Sequence, residues 1–99
     1  MIQFKPKGKD SFIVTDAIND YTEEKMVKHL SKFFKEHEEV QLSVLYKVRP
    51  HKEYEVVGNL FFGKVVLHAS SRSKDMYASI VEVTEKLERQ IVKRKYWLI

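Results

Sequence analysis

The sequence predicts an α+β fold, β-α-β-β-β-α, with a four-stranded sheet carrying two amphipathic helices on one face. Three observations predict it. Apolar residues alternate with a period of two at the N-terminus and along three runs between Val40 and Ala69. They recur every three to four residues over Ile18 to Phe33 and over Met76 to Ile91. A chain of 99 residues has room for one such two-layer unit and one thin core.

The first strand is predicted from Ile2 and Phe4 alternating with Gln3 and Lys5. Pro6 and Gly8 are expected to interrupt it, and Phe12 to Val14 to resume it. Thr15 has the residue type of a helix N-cap, and Asp16 comes next, where the helix dipole favours a negative charge. Ile18, Thr22, Met26, Leu30 and Phe33 then step by four, four, four and three, the spacing of a helix face.

From Val40 the period falls to two. Val40, Leu42, Val44, Tyr46 and Val48 share one face, with Gln41, Ser43, Lys47 and Arg49 opposite, which describes a half-buried strand. Arg49, Pro50, His51 and Lys52 form a turn. Tyr54, Val56, Leu60 and Phe62 alternate again, and Gly58 within that run indicates a bulge or a close contact. Gly63 and Lys64 turn the chain into a short strand of Val65, Leu67 and Ala69, and Ser70 to Lys74 are expected to lead out of the sheet. Met76, Ile80, Val83, Leu87 and Ile91 form the second helical stripe, with the helix running to about Lys95. No repeat, low-complexity segment or linker divides the chain, so residues 1–99 are expected to form a single domain ending in an apolar tip at 95–99.

Lys and Arg outnumber Asp and Glu by 18 to 14, a formal net charge of +4. Spread evenly this excess says little, whereas concentrated on one surface it favours a polyanion. The absence of cysteine excludes disulfides, thiolate metal sites and thiol chemistry. No run reaches the length of a signal peptide core or a membrane span, so a soluble, cytoplasmic protein is expected.

The charges do fall in stripes. Lys25, Lys28 and Lys32 stand at i, i+3 and i+7 of the first helix; Lys86, Arg89 and Lys93 repeat that spacing on the last, where Arg94 and Lys95 extend the positive end. If the helices lie side by side, the stripes line one basic groove for phosphates. The structural alternative is that Glu82, Glu85 and Glu88 pair with these cations on a solvated surface and the C-terminal charges complement the helix dipole. Most aromatics, including Tyr21, Phe33, Phe34, Tyr46, Tyr54, Phe61 and Phe62, stand where core packing places them. Tyr77 lies off the apolar stripe near Lys74 and Arg72, where its ring can stack on a base or ribose, or pack at the helix start. His29, His37, His51 and His68 have no metal-ligand spacing, and no nucleophile, base and oxyanion donor assemble into a catalytic set. No enzyme activity, metal or cofactor is expected. A small hydrolase using His51 or His68 is the remotest alternative.

Leu67 to Ile80, LHASSRSKDMYASI, together with Glu85 to Lys95, EKLERQIVKRK, resembles the signature of the bacterial ribosome hibernation promoting factor family, which includes the ribosome-associated inhibitors. VTDAI at Val14 to Ile18, after Gly8 and Lys9, is similar to the family's N-terminal segment. The resemblance covers nearly the whole chain and implies the same β-α-β-β-β-α order, similar in outline to a double-stranded RNA-binding domain. It also implies a non-enzymatic factor that binds rRNA of the small ribosomal subunit between head and body. There it would overlap mRNA and the A-site and P-site tRNAs, and so silence idle ribosomes in stationary phase or stress. On this resemblance Lys86, Arg89 and Lys93 match the basic positions of the second helix, and Lys25 and Lys28 those of the first. Lys32 is the outlying member, because one extra residue near His29 rotates the remainder of that helix by about 100°. Lys74, Tyr77 and Arg94 complete the expected rRNA-binding set, with Asp75 as a structural residue at the helix start.

The resemblance implies the small subunit and its rRNA as partners, with a second hibernation factor or a copy on a paired ribosome as further partners; no membrane and no small-molecule substrate are expected. The chain has neither the dimerising C-terminal domain of long family members nor the polar tail of the inhibitors, and Tyr96 to Ile99 either pack on the sheet, contact a partner or mark a truncated long form. Two other functions stay open: a free-standing double-stranded RNA reader, and a protein-interaction domain docking through that apolar tail.

Overall fold

The first strand is longer than its proline and glycine predict. In the computed structural model, which describes residues 1–9 and 12–97 without the side chains of Tyr96 and Trp97, β1 (Ile2–Gly8) runs straight through Pro6. It pairs in parallel with β2 (Val40–Arg49), from Ile2 opposite Val40 to Gly8 opposite Tyr46. Pro6 is tolerated because β1 is an edge strand with a neighbour on one side only, so a missing N–H need not break a ladder. Phe12 to Val14 do not resume the strand. Phe12 N–H closes a turn onto Lys9 O at 3.1 Å, and Ile13 is turned to solvent.

A parallel pair needs a crossover, and the first helix supplies it. This helix, α1, has three consecutive stretches: α-helical Asp16–Thr22, a π turn at Glu23–Val27, and α-helical Lys28–Ser31. Thr15 caps it as expected, its hydroxyl accepting from Ile18 N–H at 3.2 Å. Ile18, Thr22, Met26 and Leu30 are buried.

β2 continues through a 3-10 turn at Pro50–Lys52 into β3 (Glu53–Phe62), which pairs antiparallel with both β2 and β4 (Val65–Ser73), giving the order β1-β2-β3-β4. His51 and Lys52 both take positive φ in that turn. Gly63, at φ 55°, makes the tight reversal between β3 and β4. β4 outlasts its predicted end at Ala69 because Ser71 faces inward and its hydroxyl donates to Glu82 Oε2 at 2.8 Å, which satisfies a buried polar group.

The last helix, α2 (Met76–Val92), ends in a second π turn at Lys93–Trp97. Asp75 caps its start, accepting from Tyr77 N–H at 3.0 Å, so the expectation of a structural role is met. Met76, Ile80, Val83, Leu87 and Ile91 lie against Val56, Leu60, Leu67 and Ala69 and the inner residues of β2. Gly58 marks close contact and no bulge, for its pairing with Val44 and Ala69 is unbroken. A Cβ there would come within 2.9 Å of Val83 Cγ1 and 3.2 Å of Leu87 Cδ1, so the missing side chain lets α2 seat on the sheet.

Both helices cover one face of the sheet. Every second strand residue therefore points to a face that neither helix touches, and that asymmetry positions the charged surfaces.

Candidate nucleic-acid interface

The stripe on α2 does not face α1. Lys86 Nζ donates to Ser70 O at 2.7 Å and Gln90 Nε2 to His68 O at 2.8 Å, so these side chains reach over the outer edge of β4 and occupy carbonyls that an edge strand leaves unpaired. Lys86, Arg89 and Lys93 line a shallow depression with His68, Ala69, Ser70 and Gln90. Arg89 and Lys93 are exposed, and Lys86 is half-buried along its stem.

The seam between the helices is filled by other residues. His29 Nε2 and the Glu88 carboxyl are hydrogen-bonded across it, and the Tyr21 and Tyr77 rings meet edge to face with centroids 4.6 Å apart. The single basic groove expected from the matching spacings is thus not formed. The α2 stripe lies along β4, and a histidine–carboxylate pair and two tyrosines occupy the space between.

Two of the three glutamates predicted to neutralise the α2 stripe are engaged elsewhere, and the third, Glu85, is exposed with no ion pair among the described residues. Glu82 accepts from Ser71 and Glu88 pairs with His29. Among the described residues no carboxylate lies within 4.0 Å of the charged ends of Lys86, Arg89 or Lys93. The solvated-pair alternative therefore fails for this stripe.

On α1 the outcome is mixed. Lys28 Nζ binds Glu24 at 2.7 Å, a hydrogen bond that holds the Glu24 carboxyl below its ordinary range and the Lys28 ammonium above its own. Lys25 and Lys32 are exposed without an ion pair among the described residues. Lys25 stands midway between Tyr21 and His29, both of which reach α2, so it belongs to the flank nearest the seam. The π turn explains why Leu30 still faces the core despite the steps of four. A π turn holds one residue more than an α turn, and this one returns Leu30 to the core after Met26.

Tyr77 is 38% exposed, so part of its ring stays open to solvent although it packs on Tyr21. Tyr77 and Lys74 also line a shallow cleft with Phe12, Tyr54 and Met76 at the start of α2. Tyr21 was not predicted for this surface; helix periodicity placed it beside the core stripe and gave no sign of its aromatic partner on the other helix. Arg94 is exposed in the terminal π turn. Lys95, by contrast, turns inward: its Nζ donates to Phe33 O at 2.9 Å and to Glu38 at 3.0 Å, and lies 4.4 Å from the centre of the Phe34 ring. The backbone N–H of Lys35 and then Lys95 keep the Glu38 carboxyl below its usual value. The apolar tip falls outside the described side chains.

Among the described residues no group of three or more His, Cys, Asp or Glu is placed to hold a metal ion, and no helix is long and apolar enough to cross a membrane.

The architecture matches the Protein Y N-terminal domain of Thermus thermophilus, with a TM-score of 0.82 at 23% identity over 96% of this chain and 100% of that one. It likewise matches a ribosomal subunit interface protein from Coxiella burnetii, with a TM-score of 0.77 at 21% identity over 96% and 98% of the two chains. At these identities the likeness establishes the fold. Sequence relatives are nearer. The ribosome hibernation promotion factor of Lactococcus lactis subsp. cremoris (strain MG1363) is 46% identical over 97% of this chain, and that of Staphylococcus aureus (strain COL) 35% identical over 97%. The chain spans about half the length of each, 50% and 48%. A family model described as Sigma 54 modulation protein / S30EA ribosomal protein matches residues 7–97, which bears out the resemblance read from Leu67–Ile80 and Glu85–Lys95: the chain belongs to that family.

Proposed function

We propose that this domain is a ribosome hibernation module that binds rRNA of the small ribosomal subunit in the decoding region and, by occupying it, keeps mRNA and tRNA off idle ribosomes. Membership of the family supports the ribosome as partner. The observation that carries the rRNA reading is the α2 stripe: Lys86, Arg89 and Lys93 project along β4 with no carboxylate within 4.0 Å among the described residues, while Glu82 and Glu88 bind other groups. Cations left unneutralised as a set gain from releasing the counterions condensed on a phosphate backbone. In this reading Lys86, Arg89, Lys93 and Arg94 hold phosphates, Lys25, Lys28 and Lys32 make a second contact from α1, and Lys74 and the exposed part of Tyr77 meet a phosphate and its base or ribose. The action is steric and electrostatic, with no chemical step.

Co-sedimentation with vacant small subunits tests the proposal. Wild type should bind stoichiometrically at low salt and be displaced by mRNA plus initiator tRNA, whereas Arg89→Glu/Lys93→Glu should lose binding while keeping its thermal unfolding profile. Lys86 is left intact because its bond to Ser70 O also guards the sheet edge. Absence of wild-type binding would overturn the ribosome reading, and undiminished binding of the double variant would overturn the assignment of the stripe.

A further inference from the structure

Strand pairing gathers on the uncovered face of the sheet charges that stand far apart in the sequence. Lys5 lies in a row with Ser43, Asn59 and His68; Lys7 with Leu45, Val57 and Ser70; Lys47 with Glu55 and Arg72; and Arg49 with Glu53. Five cationic side chains thus face two carboxylates, a surplus of three on one side of a chain whose formal net charge is +4. Glu55 is shared between Arg49 at 3.1 Å and Lys47 at 3.9 Å, and Arg72 reaches Glu53 only at 4.0 Å. Lys5 and Lys7 are exposed and have no carboxylate within 4.0 Å among the described residues.

This face is continuous with the α2 stripe. His68 and Ser70 belong to it by register, and both also line the depression beneath Lys86, Arg89 and Lys93. The two surfaces thus meet at polar residues of the β4 edge, while the unpaired Lys5 and Lys7 stand on β1 at the opposite edge of the sheet.

We infer that the open sheet face is a second RNA-binding surface, taking the ribose–phosphate backbone of an RNA helix, so that the domain holds RNA on two sides. This rests on the rRNA reading above. Backbone is the ligand because the face offers cations together with Gln3, Ser43, Asn59, His68 and Ser70, hydrogen-bonding groups suited to phosphate and 2′-hydroxyl. Its exposed apolar side chains, Phe61 at 40% and Val66 at 60%, are confined to one corner. Unpaired bases would need an aromatic platform across the sheet, and an anionic membrane would need apolar anchors on an amphipathic helix.

The test uses Lys5→Glu/Lys7→Glu, exposed edge-strand changes that break no ion pair of the described structure, in co-sedimentation with vacant small subunits across a salt series. Binding at moderate salt should weaken by about tenfold or more, and the slope of log affinity against log salt should shrink by roughly 1.4 to 1.8, from two lost phosphate contacts. Lys5→Arg/Lys7→Arg should restore both. Should the charge reversal disturb folding, Lys5→Gln/Lys7→Gln reads the same slope change. Wild-type affinity and slope in these variants, with binding still abolished by Arg89→Glu/Lys93→Glu, would overturn the second surface and leave the hibernation reading standing. Weakened binding with an unchanged slope would also overturn it, because the lost contact would not be to phosphate. Failure of wild type to bind would remove both.

Discussion

Among the described residues, Thr22 and Tyr46 form the one hydrogen bond between fully buried side chains of the helix layer and the sheet, with Tyr46 Oη 2.7 Å from Thr22 Oγ1. Thr22 has a single hydroxyl proton and donates it to Ile18 O at 2.9 Å, so Tyr46 is the donor of the pair. The two substitutions that break it are therefore unequal. Thr22→Val should strand the Tyr46 hydroxyl in the core at about 1–3 kcal/mol, whereas Tyr46→Phe leaves Thr22 bonded to Ile18 and should cost about 1 kcal/mol. Urea unfolding of the two variants reads the difference, and equal losses would reverse the assigned direction of donation. Burial also pushes the Tyr46 hydroxyl up to about 12 from 10.0. The folded state thus resists ionisation: its stabilising effect is complete below pH 10 and is lost as pH rises from 10 towards 12. Tyr46→Phe should lack that alkaline loss. The sequence placed Thr22 on the apolar helix stripe, which is where it lies. Nothing in it pointed to Tyr46 as the partner, because the two are 24 positions apart and meet only through the crossover of β1, α1 and β2.

Elements were legible where periodicity is local and less so where topology decides. The spacing of Ile18, Thr22, Met26 and Leu30 predicted α1, but a straight α-helix with strict steps of four drifts by about 40° per step and would carry Leu30 off the core. The π turn at Glu23–Val27 takes up that drift, and such a turn leaves no mark on apolar spacing. Likewise β1 passes Pro6 because the strand lies at an edge, a fact set by strand order and not by the residues around the proline. The π turn yields a sharp expectation. Deleting Glu24, an exposed residue of that turn, should convert it to an α turn and keep Met26 and Leu30 facing inward, so the variant should fold cooperatively with a thermal midpoint near wild type. Deleting Glu85 from the unbroken α2 should rotate Leu87 and Ile91 by about 100° out of the core and abolish cooperative unfolding. Equal damage from the two deletions would mean that the π turn is not a relaxed insertion.

The charge pattern was half legible at the scale of the molecule. Spacing on one helix revealed that Lys86, Arg89 and Lys93 share a stripe, since that depends on the helix alone. Which neighbour the stripe faces depends on the roll of α2 against the sheet, and the answer is β4 and not α1. The basic character of the open face was invisible, because it is assembled across four strands from residues as distant as Lys5 and Arg72. Together these placements change what a formal charge of +4 means: its unpaired cations are gathered on two surfaces, the α2 stripe and the open sheet face, of a body 44 × 22 × 20 Å in extent. Phosphate contact at Lys86, Arg89 and Lys93 should contribute roughly 2 to 3 to the salt slope of log affinity for the small subunit, and Lys5 and Lys7 a further 1.4 to 1.8 or so, beyond what Arg94 and the lysines of α1 add. Titration over a tenfold range of salt separates these cases. A wild-type slope below about 2 would mean that the stripe does not hold its three phosphates, whatever the affinity. A slope that falls by roughly 1.4 to 1.8 on neutralising Arg89 and Lys93 to Gln, and by as much again on neutralising Lys5 and Lys7, would count the contacts of each side independently, because the two sets share no ion-pair partner among the described residues.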